Sequence, residues 1–290
     1  MDFDMNKISV KPGQKINIED YDTKYVGTYT KDKAKKALKK NTKELKEMQE
    51  MFYADNRYSL LIILQASDAA GKDGAIRHVL GGLNPQGCRV HSFKAPSKIE
   101  LEHDYIWRHY IALPERGMIE IFNRSHYENV IVTKVHPEYI MGERIPNVDS
   151  VPKVNDGFWK NRYKQINNFE KHIYDNGTHI LKFFLNISKD EQRNRFLARL
   201  DTPEKNWKFS TGDLKERKYW NDYRKAFEDM INETSTDYAP WHVIPADNKW
   251  FSRIAIGKVI YEKMKSLDLK YPLAEKPELL EEARKQLLSE

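Results

Sequence analysis

The stretch from Ser59 to Gly82 constrains the fold more than any other part of the chain. Its first residues, 59–64, form a short apolar run with β-branched side chains in the middle and an abrupt end, which is typical of a strand covered on both faces. A loop of small and polar residues, 65–74, follows, and residues 75–82 continue as a helix. The stretch therefore predicts a βα unit at the centre of an α/β protein.

The loop in this unit follows a phosphate-binding pattern, G-x-x-x-x-G-K-[ST], with Ala66 in place of the first glycine and Asp73 in place of the hydroxyl residue. Gly71 would let the backbone approach a phosphate, Lys72 would supply a positive charge, and the first helical N–H groups would point at the same anion. Asp73 could hold Mg²⁺, and Asp68 is a second carboxylate beside it. The alternative is a βα turn with a surface lysine.

Four further strand patterns alternate with helices along the chain, at about 87–93, 118–122, 179–187 and 241–245. Helices are predicted at about 31–54, 97–113, 128–135, 158–174, 189–200, 212–233, 249–267 and 277–288. This alternation predicts a parallel sheet covered by helices on both faces. Because no repeat or low-complexity linker interrupts the chain, we expect one domain over 1–290. Its predicted parts are an irregular N-terminal arm over about 1–29, a lid insertion over about 190–217 and a C-terminal tail helix within about 268–290.

Composition narrows the class of partner and the compartment. The net charge of +6 and the pI near 9.0 indicate an anionic partner, which could be a nucleotide, a nucleic acid or another polyanion. The single cysteine, Cys88, excludes an internal disulfide and fits a reducing compartment. The sequence shows no signal-peptide pattern and no membrane-spanning run, so we expect a cytoplasmic protein without membrane contact.

Two polar clusters accompany the loop. Asn123 and Arg124 follow the third strand pattern, where open α/β sheets build sites. An asparagine there could ligate a metal only through its neutral oxygen, and the planar guanidinium of Arg124 suits phosphate oxygens. Arg195 and Arg199 share a helix face, and with Lys205 and Lys208 they predict a basic lid. The alternatives are a turn residue at Asn123 and a solvated basic helix face.

Other kinds of site are disfavoured. The nine histidines show no zinc-binding spacing, and no G-x-S-x-G nucleophile motif occurs. Trp207, Trp220 and Trp241 are interpreted as packing residues, because their surroundings lack the alternating basic and aromatic residues of single-strand binders. We therefore expect no nucleic-acid partner.

Three motifs together resemble the polyphosphate kinase 2 family. They are D-A-A-G-K-D-G at 68–74, I-F-N-R-S-H-Y-E at 121–128, and W-K-F-S at 207–210 with Asp213. They occur in the family's order, and the resemblance extends over about 30–270. The N-R-S-H-Y-E form is similar to the third subgroup, whose members accept nucleoside monophosphates and diphosphates, although Asn123 departs from the aspartate of much of the family.

The resemblance implies a P-loop kinase-like three-layer sandwich, with a five-stranded parallel sheet, helices on both faces and a mobile helical lid. It implies reversible, Mg²⁺-dependent transfer of the terminal phosphoryl group of polyphosphate to AMP or ADP, with ATP as a product, in a homo-oligomer. The catalytic positions that it implies are Asp68, Lys72, Asp73, Asn123, Arg124 and Arg195. The phosphate-binding positions are Ala69, Ala70, Gly71, Lys72, Gly74, Arg199 and Lys208. Glu128 would bind nucleotide, and Asp68 and Asp73 would bind the metal.

Two other functions stay open from the residues alone. An ATP-dependent kinase of a nucleotide or another small molecule would use the same loop. A polyanion-binding or nucleic-acid-binding protein could have the loop without turnover, and steeply salt-dependent binding would then be its signature.

Overall fold

A computed structural model describes residues 3–273 and 275–290 and contains a single parallel sheet within them. Its strands are β1 (Ser59–Ala66), β2 (Cys88–Ser92), β3 (Ile119–Asn123), β4 (Thr178–Asn186) and β5 (Trp241–Pro245). The α-helices up to the middle of the chain are α1 (Lys31–Asp55), α2 (Lys72–Ala75), α3 (Trp107–Tyr110), α4 (Glu128–Val135) and α5 (Asp156–Asp175). The later ones are α6 (Lys189–Leu200), α7 (Thr211–Glu216), α8 (Trp220–Thr234), α9 (Lys249–Lys265) and α10 (Pro277–Ser289).

The strand order is β2-β3-β1-β4-β5, and every neighbouring pair is parallel. β1 lies at the centre and is buried along its whole length, as expected for a strand covered on both faces. Because parallel strands end at the same edge, the carboxyl ends of β1 and β3 bring residues after 66 and 123 together. The predicted five-stranded α/β fold is confirmed.

The side chains of β1 alternate between two cores. Leu60, Ile62 and Leu64 face a core that also contains Leu45 of α1 and Phe251 of α9. On the other face, Leu61 and Ile63 pack with side chains of the helices on that side, among them Val130 of α4, Ile166 of α5 and Phe227 of α8. The sheet is therefore the middle layer of three.

The N-terminal segment is attached to the edge of this sheet rather than extended from it. Ile8 and Val10 are buried, and Ser9 forms an isolated antiparallel bridge with His242 of β5. Short 3₁₀ turns at Met5–Lys7 and Ile18–Asp20 give the predicted irregular arm some local order.

Two helix predictions are wrong in detail. Only a 3₁₀ turn (Glu100–Glu102) and α3 form within 97–113. Between them the chain extends at His103, and the carboxylate of Asp104 accepts a hydrogen bond from the Ile106 N–H at 2.8 Å, a local bond that competes with a helix. The helix predicted over 212–233 is two helices, α7 and α8, separated by a 3₁₀ turn (Arg217–Tyr219).

The interpretation of Trp207 as a packing residue is also wrong. Its side chain is 78% exposed and lies beside the Lys208 ammonium, 4.9 Å from the ring centroid. Trp241, by contrast, is fully buried. Within the described residues, no helix is both long enough and apolar enough to span a membrane.

Candidate active site at the carboxyl edge of the sheet

The phosphate-type loop connects β1 to α2 through two left-handed residues. Gly71 caps α2 at φ 115°, a conformation that favours glycine. Ala69 also has a positive φ, of 60°, which is strained for a residue with a Cβ. A π-helical turn (Ile76–Leu80) continues α2, so the loop leads into more than two turns of helix. The strain at Ala69 indicates that surrounding contacts hold the loop in place.

Lys72 is the buried cation of this loop. Its side chain is 9% exposed, and Nζ donates to the carbonyl of Ala66 at 3.0 Å. Burial and the neighbouring Arg124 guanidinium lower the pKa of Lys72 to about 8, and the Asp68 carboxylate opposes that shift. A phosphate beside the ammonium would restore its charge.

Arg124 joins the loop to the segment after β3. Its guanidinium donates to Asp68 Oδ1 at 2.7 Å and to Glu128 Oε2 at 2.8 Å. The two carboxylates, Glu128 first, raise the pKa of Arg124, so it stays charged. The backbone of Arg124 has φ 64°, and this turn aims the side chain back across the loop. Arg124 thus lies between carboxylates from two different elements.

Asn123 and Asp73 meet beside Lys72, where hard oxygen ligands for a metal are available. Asn123 Nδ2 donates to Asp73 Oδ1 at 3.0 Å, and Asn123 Oδ1 is buried without a hydrogen-bond partner among the described residues. Those residues contain no group of three or more His, Cys, Asp or Glu side chains arranged for a metal. Two carboxylates and an amide oxygen nevertheless fit Mg²⁺, which usually takes few protein ligands and completes its shell with substrate phosphates.

A buried ionic network supports the segment that carries Asn123 and Arg124. Lys182 of β4 and Glu170 of α5 are both fully buried, with Nζ 2.7 Å from Oε2. Tyr127 donates its hydroxyl hydrogen to Glu170 at 2.6 Å and accepts from Lys182 at 2.9 Å, and His126 lies 3.4 Å from Glu170. Because a buried pair tolerates little displacement, this network fixes the start of α4.

Arg195 is wholly engaged in holding the loop. Its Nε donates to Glu191 at 2.7 Å, one terminal nitrogen donates to the carbonyls of Ala69 and Ala70, and the other donates to the carbonyls of Ala246 and Asp247. Five bonds use all five N–H donors of a guanidinium. In this arrangement Arg195 has no donor for a phosphate, and its role is to position backbone.

Gln192, one turn before Arg195, extends this brace. Its Nε2 donates to the Asp68 carbonyl at 3.0 Å, and its Oε1 accepts from Arg217 at 2.5 Å. The carbonyls of 68, 69 and 70 therefore all point towards α6. The brace explains how the strained conformation of Ala69 is maintained. We call these contacts of Gln192 and Arg195 the α6 brace.

The predicted lid residues fold back over this edge. Arg199 donates to the Lys208 carbonyl at 3.0 Å and lies 3.5 Å from Asp213 Oδ2. Asn206 donates to the carbonyls of Arg199 and Leu200, which fastens the 3₁₀ turn (Pro203–Lys208) to the end of α6. Burial and the Asp68 carboxylate raise the pKa of Asp213.

A cavity of about 410 Å³ opens on one side of the loop. We call it the cationic cavity, because its charged lining includes only two carboxylates, Asp68 and Asp73. Its cations are Lys72, Arg77, Arg124, Arg195, Arg199, Lys205, Lys208, Lys249 and Arg253.

The cations of this cavity repel one another. Burial and then Arg195 lower the pKa of Lys249, while burial and then Arg77 lower that of Arg253. An anion in the cavity would relieve that repulsion. The arrangement therefore suits a polyanion.

Two adjoining cavities open on the other side of the loop, with volumes of about 530 and 340 Å³. We call them the mixed cavities, because apolar, aromatic, acidic and basic side chains line them. They share Arg124, Glu128, Val132 and Tyr139, and the smaller one also contains Asp68 and Asp213. Such a lining suits a ligand that has both an apolar ring and a charged group.

The structure thus brings the predicted site residues to one edge of the sheet, and it adds cations that the sequence patterns did not single out. Arg77, Lys249 and Arg253 line the cationic cavity, and Gln192 supports the loop. Lys249 and Arg253 are four residues apart in the first turns of α9, and this spacing, which places both on one helix face, is the signal that could have identified them.

Comparison with known proteins identifies a matching family and similar relatives. The family model of polyphosphate kinase 2 (PPK2) matches residues 28–272. The ADP-polyphosphate phosphotransferase of Rhodopseudomonas palustris is 48% identical over 99% of this chain and 100% of its own length. The AMP/ADP-polyphosphate phosphotransferase of Meiothermus ruber is 42% identical over 93% of this chain and 97% of its own length.

A solved structure agrees with these relationships. The crystal structure of polyphosphate kinase 2 from Arthrobacter aurescens TC1 superimposes with a TM-score of 0.88 at 38% identity. The match covers 98% of this chain and 95% of that one.

Proposed function

The chain belongs to the polyphosphate kinase 2 family, and we propose that it transfers the terminal phosphoryl group of inorganic polyphosphate to ADP and AMP. Relatives named as ADP-polyphosphate, AMP/ADP-polyphosphate and polyphosphate:AMP phosphotransferases support both acceptors. The reaction is reversible, so ATP and ADP are also ligands of the site.

The observation that carries this proposal is the meeting of the cationic and mixed cavities at Asp68 and Arg124. Arg124 lines the cationic cavity and both mixed cavities, and Asp68 lines the cationic cavity and the smaller mixed one. Polyphosphate, which is charged along its whole length, suits the cationic cavity. A nucleotide suits the mixed cavities, with its base against Val132 and Tyr139 and its phosphates towards Arg124.

The chemistry needs alignment and charge neutralisation more than covalent help from the protein. A terminal phosphate oxygen of the nucleotide attacks the terminal phosphorus of polyphosphate. The bond from that phosphorus to the bridging oxygen breaks, and the shortened chain leaves with the electron pair. Lys72 and Arg124 flank this position and would neutralise the developing charge. The attacking oxygen is already anionic near neutral pH, so no general base is required.

Mg²⁺ fits the oxygen ligands beside Lys72. Asp68 and Asp73 would hold it, and Asn123 would contribute the amide oxygen that is left without a partner. When bound, the metal would supply positive charge that offsets the negative charge of the phosphate groups. Asn123 also donates to Asp73, and this hydrogen bond would hold the Asp73 carboxylate in place as a ligand.

Incubation of the protein with ADP, Mg²⁺ and polyphosphate tests the proposal, with ATP as the measured product. A Lys72→Ala variant should lose roughly 10³-fold in kcat/KM, because a donor aimed at the transferred group is removed. Lys160→Ala, an exposed lysine of α5, is the matched control and should retain activity.

The choice of donor distinguishes this function from an ATP-dependent kinase. With AMP as acceptor, polyphosphate should support ADP formation in the absence of ATP. If ATP serves as donor while polyphosphate is inert, the proposed donor is wrong.

A further inference from the structure

We propose that the lysine face of α1 is a second subsite for polyphosphate, which holds the part of a long chain that extends beyond the cationic cavity. This inference rests on the proposed function and deepens it. The subsite is an open groove of about 460 Å³, lined by Lys35, Lys39, Lys43, Lys46 and His78. Its ligand is a linear polyanion of phosphate groups.

The lysines are spaced to follow a linear chain. Lys35, Lys39, Lys43 and Lys46 recur at intervals of three or four residues and therefore occupy one face of α1. They span roughly 16 Å along the helix axis at 1.5 Å per residue. The first half of α1, 31–43, contains seven lysines and one acid, Asp32.

Few acidic groups compensate this charge. Glu47 lies 3.8 Å from Lys43, and Glu44 lies 3.7 Å from Lys40, which is outside the groove. Such exposed pairs within one helix contribute little. Among the described residues, no ion pair within 4.0 Å engages Lys35, Lys39 or Lys46.

The groove continues from the cationic cavity. Arg77 lines the cavity and His78 lines the groove, and the Arg77 guanidinium donates to His78 Nε2 at 3.3 Å. Burial, then Arg253 and Arg77, lower the pKa of His78, which shows that the cations of the cavity lie close to the groove. A chain leaving the cavity past Arg77 therefore meets the groove next.

Packing holds α1 firmly in this position. Asn41 donates to the carbonyl of Gly257 at 3.2 Å, and Gly257 lies one turn after Arg253 on α9. Gly82, at the end of the helix that follows the loop, lies so close to α1 that an added Cβ would come within 2.5 Å of the Thr42 methyl. The lysine face thus has a fixed place relative to the cavity.

Equilibrium binding of two chain lengths tests the inference. Tripolyphosphate is short enough to stay in the cationic cavity, whereas long-chain polyphosphate reaches the groove. In a Lys35→Gln/Lys39→Gln/Lys46→Gln variant, we expect the affinity for the long chain to fall on the order of tenfold. The affinity for tripolyphosphate should stay within about twofold, because the removed charges are distant from it. Glutamine preserves helix propensity, and circular dichroism checks the fold.

A matched control lies on the opposite face of the sheet. Lys160, Lys164 and Lys171 of α5 have the same spacing as the three substituted lysines and are exposed, although Lys171 pairs with Asp175. Their triple glutamine variant should bind both chains as the unaltered protein does. The inference is overturned if the α1 variant keeps its long-chain affinity, if it loses both affinities equally, or if the control loses as much. Absence of phosphoryl transfer by the unaltered protein would instead refute the proposed function.

Discussion

The two sides of the phosphate loop differ in the kind of ligand that they can accept. The cationic cavity has lysines and arginines from the loop, the predicted lid segment and α9, and its lining also includes the carboxylates of Asp68 and Asp73. The mixed cavities have apolar and aromatic walls, with Glu128 and Asp213 among their charged groups. On the proposed function, one side would therefore recognise charge alone, and the other would recognise shape together with charge.

This difference shows how a protein can keep two anionic substrates apart. A nucleotide could enter the cationic cavity by charge alone, but its base would find no apolar wall there comparable to Val132 and Tyr139. A polyphosphate chain entering the mixed cavities would meet the carboxylates of Glu128 and Asp213. The cavities meet at Asp68 and Arg124, where the proposed function places the reacting groups. Specificity is thus separated from the point of reaction.

Among the variants that compare the two sides, the largest effect should come from the α6 brace, because it fixes the loop that both sides share. In Arg195→Lys the positive charge remains, but the five-donor fork is lost. The carbonyls of Ala69 and Ala70 then lack their partners, and we expect kcat to fall about 10²-fold through misplacement of the loop. Steady-state kinetics with both substrates varied measure this loss.

Arg199→Lys provides the control for the brace, since Arg199 bonds within the lid segment and not to the loop. It should change kcat much less. If Arg195→Lys keeps nearly full kcat, the positive charge at 195 is sufficient for activity and the hydrogen bonds of the α6 brace are not needed. Arg195 would then act directly on phosphate, as its place among the predicted catalytic positions implies.

A smaller effect should separate the two sides. Lys249→Gln/Arg253→Gln removes cations from the cationic cavity only, so the KM for polyphosphate should rise roughly tenfold while that for ADP stays constant.

Tyr139→Ala removes an aromatic wall from the mixed cavities, and it should raise the KM for ADP about tenfold without affecting the KM for polyphosphate. If each variant raises the KM for one substrate only, the two sides bind different ligands. If either variant raises the KM for polyphosphate and the KM for ADP equally, this assignment is wrong.

The parts of this architecture that follow from local chemistry were predictable. The apolar run within β1, the capping Ser188 of α6 and the mostly apolar β5 each contain their own signals. Ser188 Oγ accepts from the Glu191 N–H at 3.1 Å, and the Ser188 N–H donates to Asp247. The helix predicted over 97–113 failed because a single carboxylate, that of Asp104, made a local bond that periodicity does not reveal.

The brace and the second set of cations could not be predicted in the same way. Gln192 and Arg195 act on backbone carbonyls more than a hundred residues earlier in the chain, and no local pattern specifies such a partner. Lys249 and Arg253 become site residues only because α9 packs beside α2. Trp207 was misassigned because the aromatic character of a side chain does not by itself show whether the fold buries it.

The smallest predicted effect is the uptake of protons when a ligand binds near pH 8, which should differ between the two sides of the loop. In the free protein burial and Arg124 lower the pKa of Lys72 to about 8, so near that pH roughly half of its amines are neutral. A phosphate chain in the cationic cavity raises this pKa again, and binding should then take up as much as roughly half a proton. Below about pH 7 Lys72 is already protonated, and this contribution should vanish.

Calorimetry of tripolyphosphate binding in buffers of different ionisation enthalpy measures this uptake. The ligand's own phosphates also exchange protons, so the decisive quantity is the difference between the unaltered protein and Lys72→Met. That difference should be present near pH 8 and absent near pH 6. ADP should show a smaller difference, since Lys72 lines the cationic cavity and neither of the mixed ones. Equal proton uptake by the two proteins at both values of pH would show that Lys72 keeps its charge throughout, and equal differences for both ligands would place both on the same side of the loop.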